Sequence, residues 1–435
     1  MKRRVRWLLI PLAALFVLLV GAFTADRWWL APAGHSHAEI TKALPLFDPA
    51  REGLVRIRAS GMEFRARIAG FGNRQGEGVI LLHGFAETSI MWEPLMSRLA
   101  NAGFRVVAFD QRGYSPGARP SGVHAYRNQK MAGDVIAVAT AVGFERFHIV
   151  GHDFGGAVAW LAADQFPSEI MSLTALSMPH PLALADALND FSSQWLNSSY
   201  VPLRWIPLMP ELVFGFNQAA HLKAVHWQLQ RPEQVAEYAQ VFSEFGALRG
   251  AFNWYRAFSL QPHDFSSTIK QPVLFLWGNR DEAFGRSAAE KTANYVEGPF
   301  RFHHLTAGHR LMTEIPNFVS NEVVSHLRTW SNISEQWKLG LVKSQPADAS
   351  CVQSRPSCLS ISVTSDGTGV RIRNLCNEHH QGTVQISCTG WSPEAFVEHR
   401  FNLGAKTVLI QDYNGFSLGT CYYGHRLCVV QLPQQ

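Results

Sequence analysis

The sequence predicts an α/β fold interrupted by a mainly helical insertion and followed by a small all-β domain. Three observations predict it. Short apolar runs at 79–82, 104–109, 147–150, 173–177, 273–277 and 302–305 are separated by helical patterns, as buried parallel strands require. Between residues 181 and 260 those runs stop and an aromatic-rich helical stretch replaces them. All six cysteines, Cys351, Cys358, Cys376, Cys388, Cys421 and Cys428, lie towards the C-terminal end, and the first 350 residues contain none. With 435 residues, 47% of them hydrophobic and 17% charged, the chain is neither a disordered solvating polymer nor a small disulfide-stapled peptide.

In chain order, the first element is a segment over residues 1–34. Lys2, Arg3, Arg4 and Arg6 precede the uncharged stretch 7–25, which reads as the basic and apolar regions of an export signal. That stretch is longer than the roughly 7–15 residues of a cleaved signal and close to the roughly 20 of a spanning helix. No clean Ala-x-Ala cleavage site follows, and residues 27–29 suit an interfacial anchor. The expectation is export: membrane-anchored and facing the extracytoplasmic side, or secreted or periplasmic if the segment is cleaved. Lys2, Arg3, Arg4 and Arg6 supply four of a formal net +5, so the remainder is nearly neutral and offers no nucleic-acid footprint.

A core domain is expected over 35–180, opening with an antiparallel hairpin in which 54–59 and 63–68 alternate around Ser60-Gly61. The helical insertion spans 181–262, the core resumes over 263–335, and a polar, Pro-containing linker occupies 336–350. The Cys-rich domain, 351–435, alternates like strands at 359–364, 369–375, 383–387, 406–411 and 428–431, with turns at Asp366-Gly367 and Asn414-Gly415. An even cysteine count beyond an export signal argues for disulfides, in any of 15 pairings. His379, His380 and His425 raise zinc as the competitor, but no Cys-x2-Cys pair occurs, so no metal is expected. The partner of this domain stays open.

The chemistry-bearing motif is Gly151-His152-Asp153-Phe154-Gly155-Gly156, between the run at 147–150 and a helical run at 157–166. It resembles a nucleophile elbow, a strand-to-helix turn that exposes the attacking atom of its central residue. Here that residue is aspartate, which alone would also suit a helix N-cap. As a nucleophile, a carboxylate attacks epoxide or alkyl-halide carbon to give an alkyl ester. His83-Gly84-Phe85 follows 79–82, so the backbone N–H groups of Phe85 and Phe154 form the expected oxyanion hole. Downstream, Asp281 follows 273–277 and His309 follows 302–305. His309 is then the base that activates water, Asp281 holds its tautomer, and His303 and His304 are structural.

Over 54–330 the chain resembles the epoxide hydrolases of the α/β-hydrolase superfamily. The motifs are residues 83–87 (HGFAE), 110–115 (DQRGYS), 151–156 (GHDFGG) and 252–256 (FNWYR). The resemblance implies an α/β-hydrolase core with a mainly helical cap and two cap tyrosines that hold the epoxide oxygen. Tyr255 matches one. Tyr200, seven residues before Pro207, is similar to the other. Trp205, Phe252 and Trp254 are then apolar cap walls of the pocket, the substrate is a small hydrophobic epoxide, and no cofactor is required. Two departures stand out. Phe154 lacks the indole donor many relatives carry there, and Arg310 puts a cation beside His309 that lowers its pKa unless it points away.

A haloalkane dehalogenase shares Asp153 and His309 but wants side-chain N–H donors where Phe85 and Phe154 stand. Another α/β-hydrolase activity, or a non-catalytic envelope protein that binds through its C-terminal domain, are the remaining alternatives.

Overall fold

The computed structural model describes residues 36–189, 194–258 and 268–331, and, by their backbone, strands between 352 and 432. The chain divides into two compact units, Met1–Asn332 and Ile333–Gln435.

The first unit is built on eight strands: β1 (Gly53–Ala59), β2 (Met62–Ala69), β3 (Gly78–Leu82), β4 (Arg105–Phe109), β5 (Phe147–His152), β6 (Ile170–Leu176), β7 (Val273–Gly278) and β8 (Phe300–Leu305). They form one sheet in the order β1-β2-β4-β3-β5-β6-β7-β8. β1 and β2 make the expected hairpin, β2 runs antiparallel to β4, and all other neighbours are parallel. Every expected apolar run falls within or at the edge of a strand. The strands run longer where polar residues interrupt the pattern without leaving the interior. Ser172 of β6 is buried because its hydroxyl meets His148 Nδ1 of β5 at 2.8 Å, and Arg301 of β8 because Glu322 meets it at 2.8 Å.

Successive residues of the central strands feed opposite faces, as the pleat requires. Ile80, Leu82 and Ile149 pack with the helices Asn128–Ala141 and Phe154–Gln165. Val79, Leu81 and Val150 pack with Leu95 and Leu99 of Glu93–Asn101 and with Val319 and Val323 of Pro316–Ser331. With helices on both faces the central strands must be apolar throughout. Because the chain leaves β3 towards β4 on one side and β5 lies on the other, the C-terminal ends of β3 and β5 flank a topological switch point, where open α/β sheets bind ligands.

Between β6 and β7 the insertion contributes the helices Gln194–Asn197, Val201–Trp205, Met209–Val225, Pro232–Phe242 and Phe245–Phe258, whereas Pro181–Asn189 packs on the core helix Arg286–Lys291. An ion cluster ties this cap to the sheet. Arg65 and Arg67 of β2 reach Glu237 of Pro232–Phe242 at 2.8 and 2.6 Å, and Arg65 also meets the buried Asp110 at 2.9 Å. The Trp227 indole adds a bond to the Ala86 carbonyl at 2.9 Å.

In the second unit the described elements are strands: β9 (Val352–Gln353), β10 (Leu359–Val363), β11 (Gly369–Asn374), β12 (His380–Cys388), β13 (Val397–Leu403), β14 (Val408–Asp412) and β15 (Leu427–Leu432). They pair as β10-β11-β14 and β13-β12-β15-β9. β13 was not among the expected strands, because His399 interrupts the apolar row of Val397, Phe401 and Leu403. Cys388 and Cys428 lie on neighbouring strands, one residue out of register. The other four cysteines, and the side chains on which disulfides depend, lie outside the described residues. So does the expected export or anchor segment, 1–34. Among the described residues no helix is long and apolar enough to cross a membrane.

Candidate active site

Asp153 stands between β5 and the helix Phe154–Gln165 with φ 51° and ψ −126°. A non-glycine residue holds such a left-handed φ only where its surroundings over-determine it. The crowding here is severe. A Cβ on Gly155 would lie 2.3 Å from the Leu82 carbonyl oxygen, and one on Gly84 would lie 2.6 Å from the Asp153 Cβ. Bare backbone at both positions lets the loop after β3 close onto the turn, and the Phe85 amide donates to Asp153 Oδ1 at 2.8 Å. The Phe154 amide, expected beside it, opens the helix and makes no hydrogen bond to this carboxylate among the described residues. Nor does Asp153 serve as a cap. It holds the N-cap position, yet its side chain makes no capping bond.

Its second oxygen, Oδ2, lies 3.4 Å from His309 Nε2 in the loop after β8. His309 Nδ1 meets Asp281 Oδ2 at 2.9 Å, and Asp281 Oδ1 accepts the amides of Ala283 at 2.8 Å and Phe284 at 3.0 Å. A carboxylate only accepts, so Nδ1 carries a proton and Nε2 is the atom aimed at Asp153. Burial alone would push the His309 pKa down. The Asp281 charge and the bond to Asp153 outweigh burial and hold it well above the ordinary histidine value. For Asp153 burial opposes ionisation, and His309 overrides it, keeping the carboxyl well below its usual range. The lowering of His309 expected from Arg310 does not occur, because Arg310 turns away to His226 Nδ1 at 3.0 Å and Glu282 at 3.6 Å.

Tyr200 and Tyr255 face Asp153 from the cap, and all three residues line the same two cavities, each of about 530 Å³. Burial pushes Tyr200 up to about 12 and Tyr255 well above the ordinary tyrosine value, so both phenols are protonated donors at neutral pH. Of the three expected pocket walls, Trp205 lines one cavity. Phe252 and Trp254 stand one layer back, which corrects the expectation. Phe252 packs on Phe85 and Phe214 with ring centroids 5.4 and 5.3 Å away, and the Trp254 indole donates to the Arg112 carbonyl at 2.8 Å. Of the residues that line the two cavities, Trp195, Leu203, Trp205 and Met209 are exposed.

A family model described as the alpha/beta hydrolase fold matches residues 78–314, more than half of the chain. The chain belongs to the α/β-hydrolase family. It is similar to AB hydrolase superfamily protein YfhM of Bacillus subtilis, 32% identical over 269 residues that make up 60% of this chain and 93% of the relative. Human epoxide hydrolase 4 is 34% identical over 289 residues, 63% of this chain and 78% of that protein. A crystal structure of an epoxide hydrolase mutant from Bacillus megaterium, in complex with its diol product, superposes with a TM-score of 0.58. At 23% identity, covering 63% of this chain and 99% of that one, it shows the common fold. By its family and relatives this α/β-hydrolase is an epoxide hydrolase-like hydrolase.

Three features of the α/β-hydrolase site escaped the sequence reading. His152, inside the elbow motif, meets Glu87 Oε2 through Nδ1 and the His309 carbonyl oxygen through Nε2, both at 3.0 Å, and so ties the loop after β3 to the loop that carries the base. Burial opposes ionisation of Glu87, but the neighbouring His152 holds its pKa below the usual value. His226 is the second feature. Burial and then the cations Arg204 and Arg310 press its pKa to about 3, so it is a neutral ring in the cavity wall. The third is Arg204, whose Nη1 donates to Tyr255 Oη at 2.5 Å. Its position four residues after Tyr200, across the short helix Val201–Trp205, was the available signal, since residues i and i+4 share a helix face.

Proposed function

We propose that this α/β-hydrolase converts an epoxide to a vicinal diol through an alkyl ester on Asp153. The observation that carries the reading is the opposition, across one cavity, of an ionised carboxylate and two protonated phenols. Relatives and solved neighbours that bear the name epoxide hydrolase support the same reaction. In the first step Oδ2 of Asp153 attacks a ring carbon. The ring C–O bond breaks, and the departing oxygen takes a proton from Tyr255 while Tyr200 donates a hydrogen bond. Oδ1, on the Phe85 amide, becomes the ester carbonyl oxygen.

In the second step His309 Nε2 takes a proton from water and hydroxide adds to the Asp153 carbonyl carbon, with the developing oxyanion on the Phe85 amide. Collapse breaks the acyl C–O bond, and the product alkoxide takes the proton from His309. The carboxylic proton returns to the Tyr255 phenolate, so the enzyme is restored and epoxide plus water have become diol. Alkylation also switches the base on. The ester cancels the Asp153 charge and bond, two of the contributions that keep the His309 pKa high, so His309 releases its proton to solvent when a base is needed and takes one back once the Asp153 carboxylate is freed.

His309→Gln is expected to accumulate protein heavier by the mass of the epoxide, and Asp153→Ala to yield neither adduct nor diol. Intact-mass spectrometry and diol analysis, with halide release from alkyl halides as the control, decide it. An unmodified mass for His309→Gln beside an active wild type would remove the ester. Export through 1–34 and disulfide stapling of 351–435 belong to the same proposal on sequence grounds. A gain in intact mass on reduction checks the disulfides.

A further inference from the structure

Five arginines among the described residues are buried, and four of them meet a carboxylate: Arg65, Arg67, Arg112 and Arg301, at 2.9, 2.6, 2.7 and 2.8 Å. The fifth is Arg204. It is 9% exposed, and among the described residues it has no acidic partner. One N–H donates to Tyr255 Oη. Otherwise the guanidinium lies against aromatic rings, 4.5 Å from the centroid of Tyr200, 4.6 Å from Phe85 and 4.7 Å from Tyr255. Those faces offset part of the cost of burying a cation, but they accept no N–H in the plane of the fork. The remaining donors belong to a side chain that lines the cavity next to Asp153.

The two cavities differ in chemistry. Both reach Asp153, Tyr200 and Tyr255, so an oxirane held there has one substituent directed into each. One arm has no charged lining residue besides the shared Asp153 and is walled largely by Met178, Leu184, Leu188, Trp195 and Phe258, with Asn189, Ser198 and Ser199 as its own polar groups. The other contains Arg204, with His221 and His226 further along. The acidic groups that reach that arm are engaged: Glu87 with His152, Glu282 with Arg310, and Asp153 with His309. Arg204 is the cation there without a counter-charge from the protein.

We propose that Arg204 binds a carboxylate of the substrate, and that the substrate is an epoxy acid with its carboxylate one to three carbons from the oxirane and a hydrocarbon chain on the other side. The short spacing follows from Arg204 being one hydrogen bond away from Tyr255, the phenol that holds the ring oxygen. This assignment rests on the epoxide reading above. A planar fork suits a carboxylate better than any single donor would.

The test compares trans-2,3-epoxydecanoate, its primary amide and 1,2-epoxydecane on the full chain. The charge-assisted bond predicts kcat/KM for the acid roughly 10- to 100-fold above the amide. Arg204→Met is expected to bring that ratio to about one and Arg204→Lys to retain part of it. A wild-type ratio near one overturns the assignment whether or not the variants fold. So does an equal loss on acid and amide in Arg204→Met, which would place the arginine's role in Tyr255. Diol from the neutral epoxides alone leaves epoxide hydrolysis standing and removes the acid. No diol from any of the three removes the epoxide reading and this assignment with it.

Discussion

At the scale of the residue, the proposed reaction depends on the difference between the two oxygens of Asp153, one tied to the Phe85 amide and one facing His309. It depends equally on a histidine whose pKa is set by its partners. Asp281→Asn removes the first of the influences that raise the His309 pKa and offers Nδ1 a mixed donor and acceptor. Hydrolysis of the Asp153 ester is then expected to slow by about 100-fold or more, the usual scale of general-base catalysis, while alkylation proceeds. Single-turnover mass spectrometry reads both steps. The linkage has a matching sign: a raised histidine pKa stabilises the fold fully below the unfolded value of 6.5 and loses that contribution as pH rises through the folded value. Thermal midpoints of wild type and His309→Gln should therefore differ most at or below pH 6 and converge in alkaline buffer. Asp153, Asp281 and His309 were legible because each follows an apolar strand run in a short motif. Arg204 was not, since a lone arginine in a lid reads as solvated until its helical phase relative to Tyr200 is drawn.

At the scale of the element, the cap is held where β2 meets the helix Pro232–Phe242. Glu237 serves both Arg65 and Arg67 and accepts a further bond from Thr88 Oγ1 at 2.5 Å. Burial opposes its ionisation, but Arg65 and Arg67 hold its pKa down, from an ordinary 4.5 to about 2. Its contribution is therefore complete above about pH 4.5 and is lost as pH falls towards 2. Glu237→Ala removes the carboxylate that the two arginines share but leaves Arg65 on Asp110 and Arg67 on Glu93, so it should cost about 3 kcal/mol, the lower end of the range for breaking a buried pair from one side. Chemical denaturation at pH 7 and pH 3 should show that deficit at the first and a smaller one at the second. The strands of the sheet were legible because parallel strands covered on both faces are apolar throughout. Helical walls were less so: Phe252 and Trp254 neighbour Tyr255 in sequence, but a helix turns each successive side chain by about 100°, which sends Trp254 to the Arg112 carbonyl rather than to the cavity.

At the scale of the whole molecule, the first unit holds the complete candidate site, from the loop after β3 to the loop after β8. The first unit ends at Asn332, and the expected linker, 336–350, lies outside the described residues. Long-range pairings such as Arg67 with Glu237 were illegible, since neither residue type nor spacing carries a signal across 170 positions. Exposed Trp195 and Trp205 line one cavity and exposed Leu203 and Met209 the other, which has a kinetic consequence. Large apolar side chains exposed at a cavity favour contact with an apolar phase, so a sparingly soluble epoxide is met where it is densest. With 1,2-epoxydecane dispersed as droplets, the rate is expected to follow the interfacial area of the emulsion rather than the dissolved concentration. Halving droplet diameter at constant total epoxide should therefore speed diol formation, and a rate indifferent to droplet size would mean that the enzyme draws its substrate from bulk water.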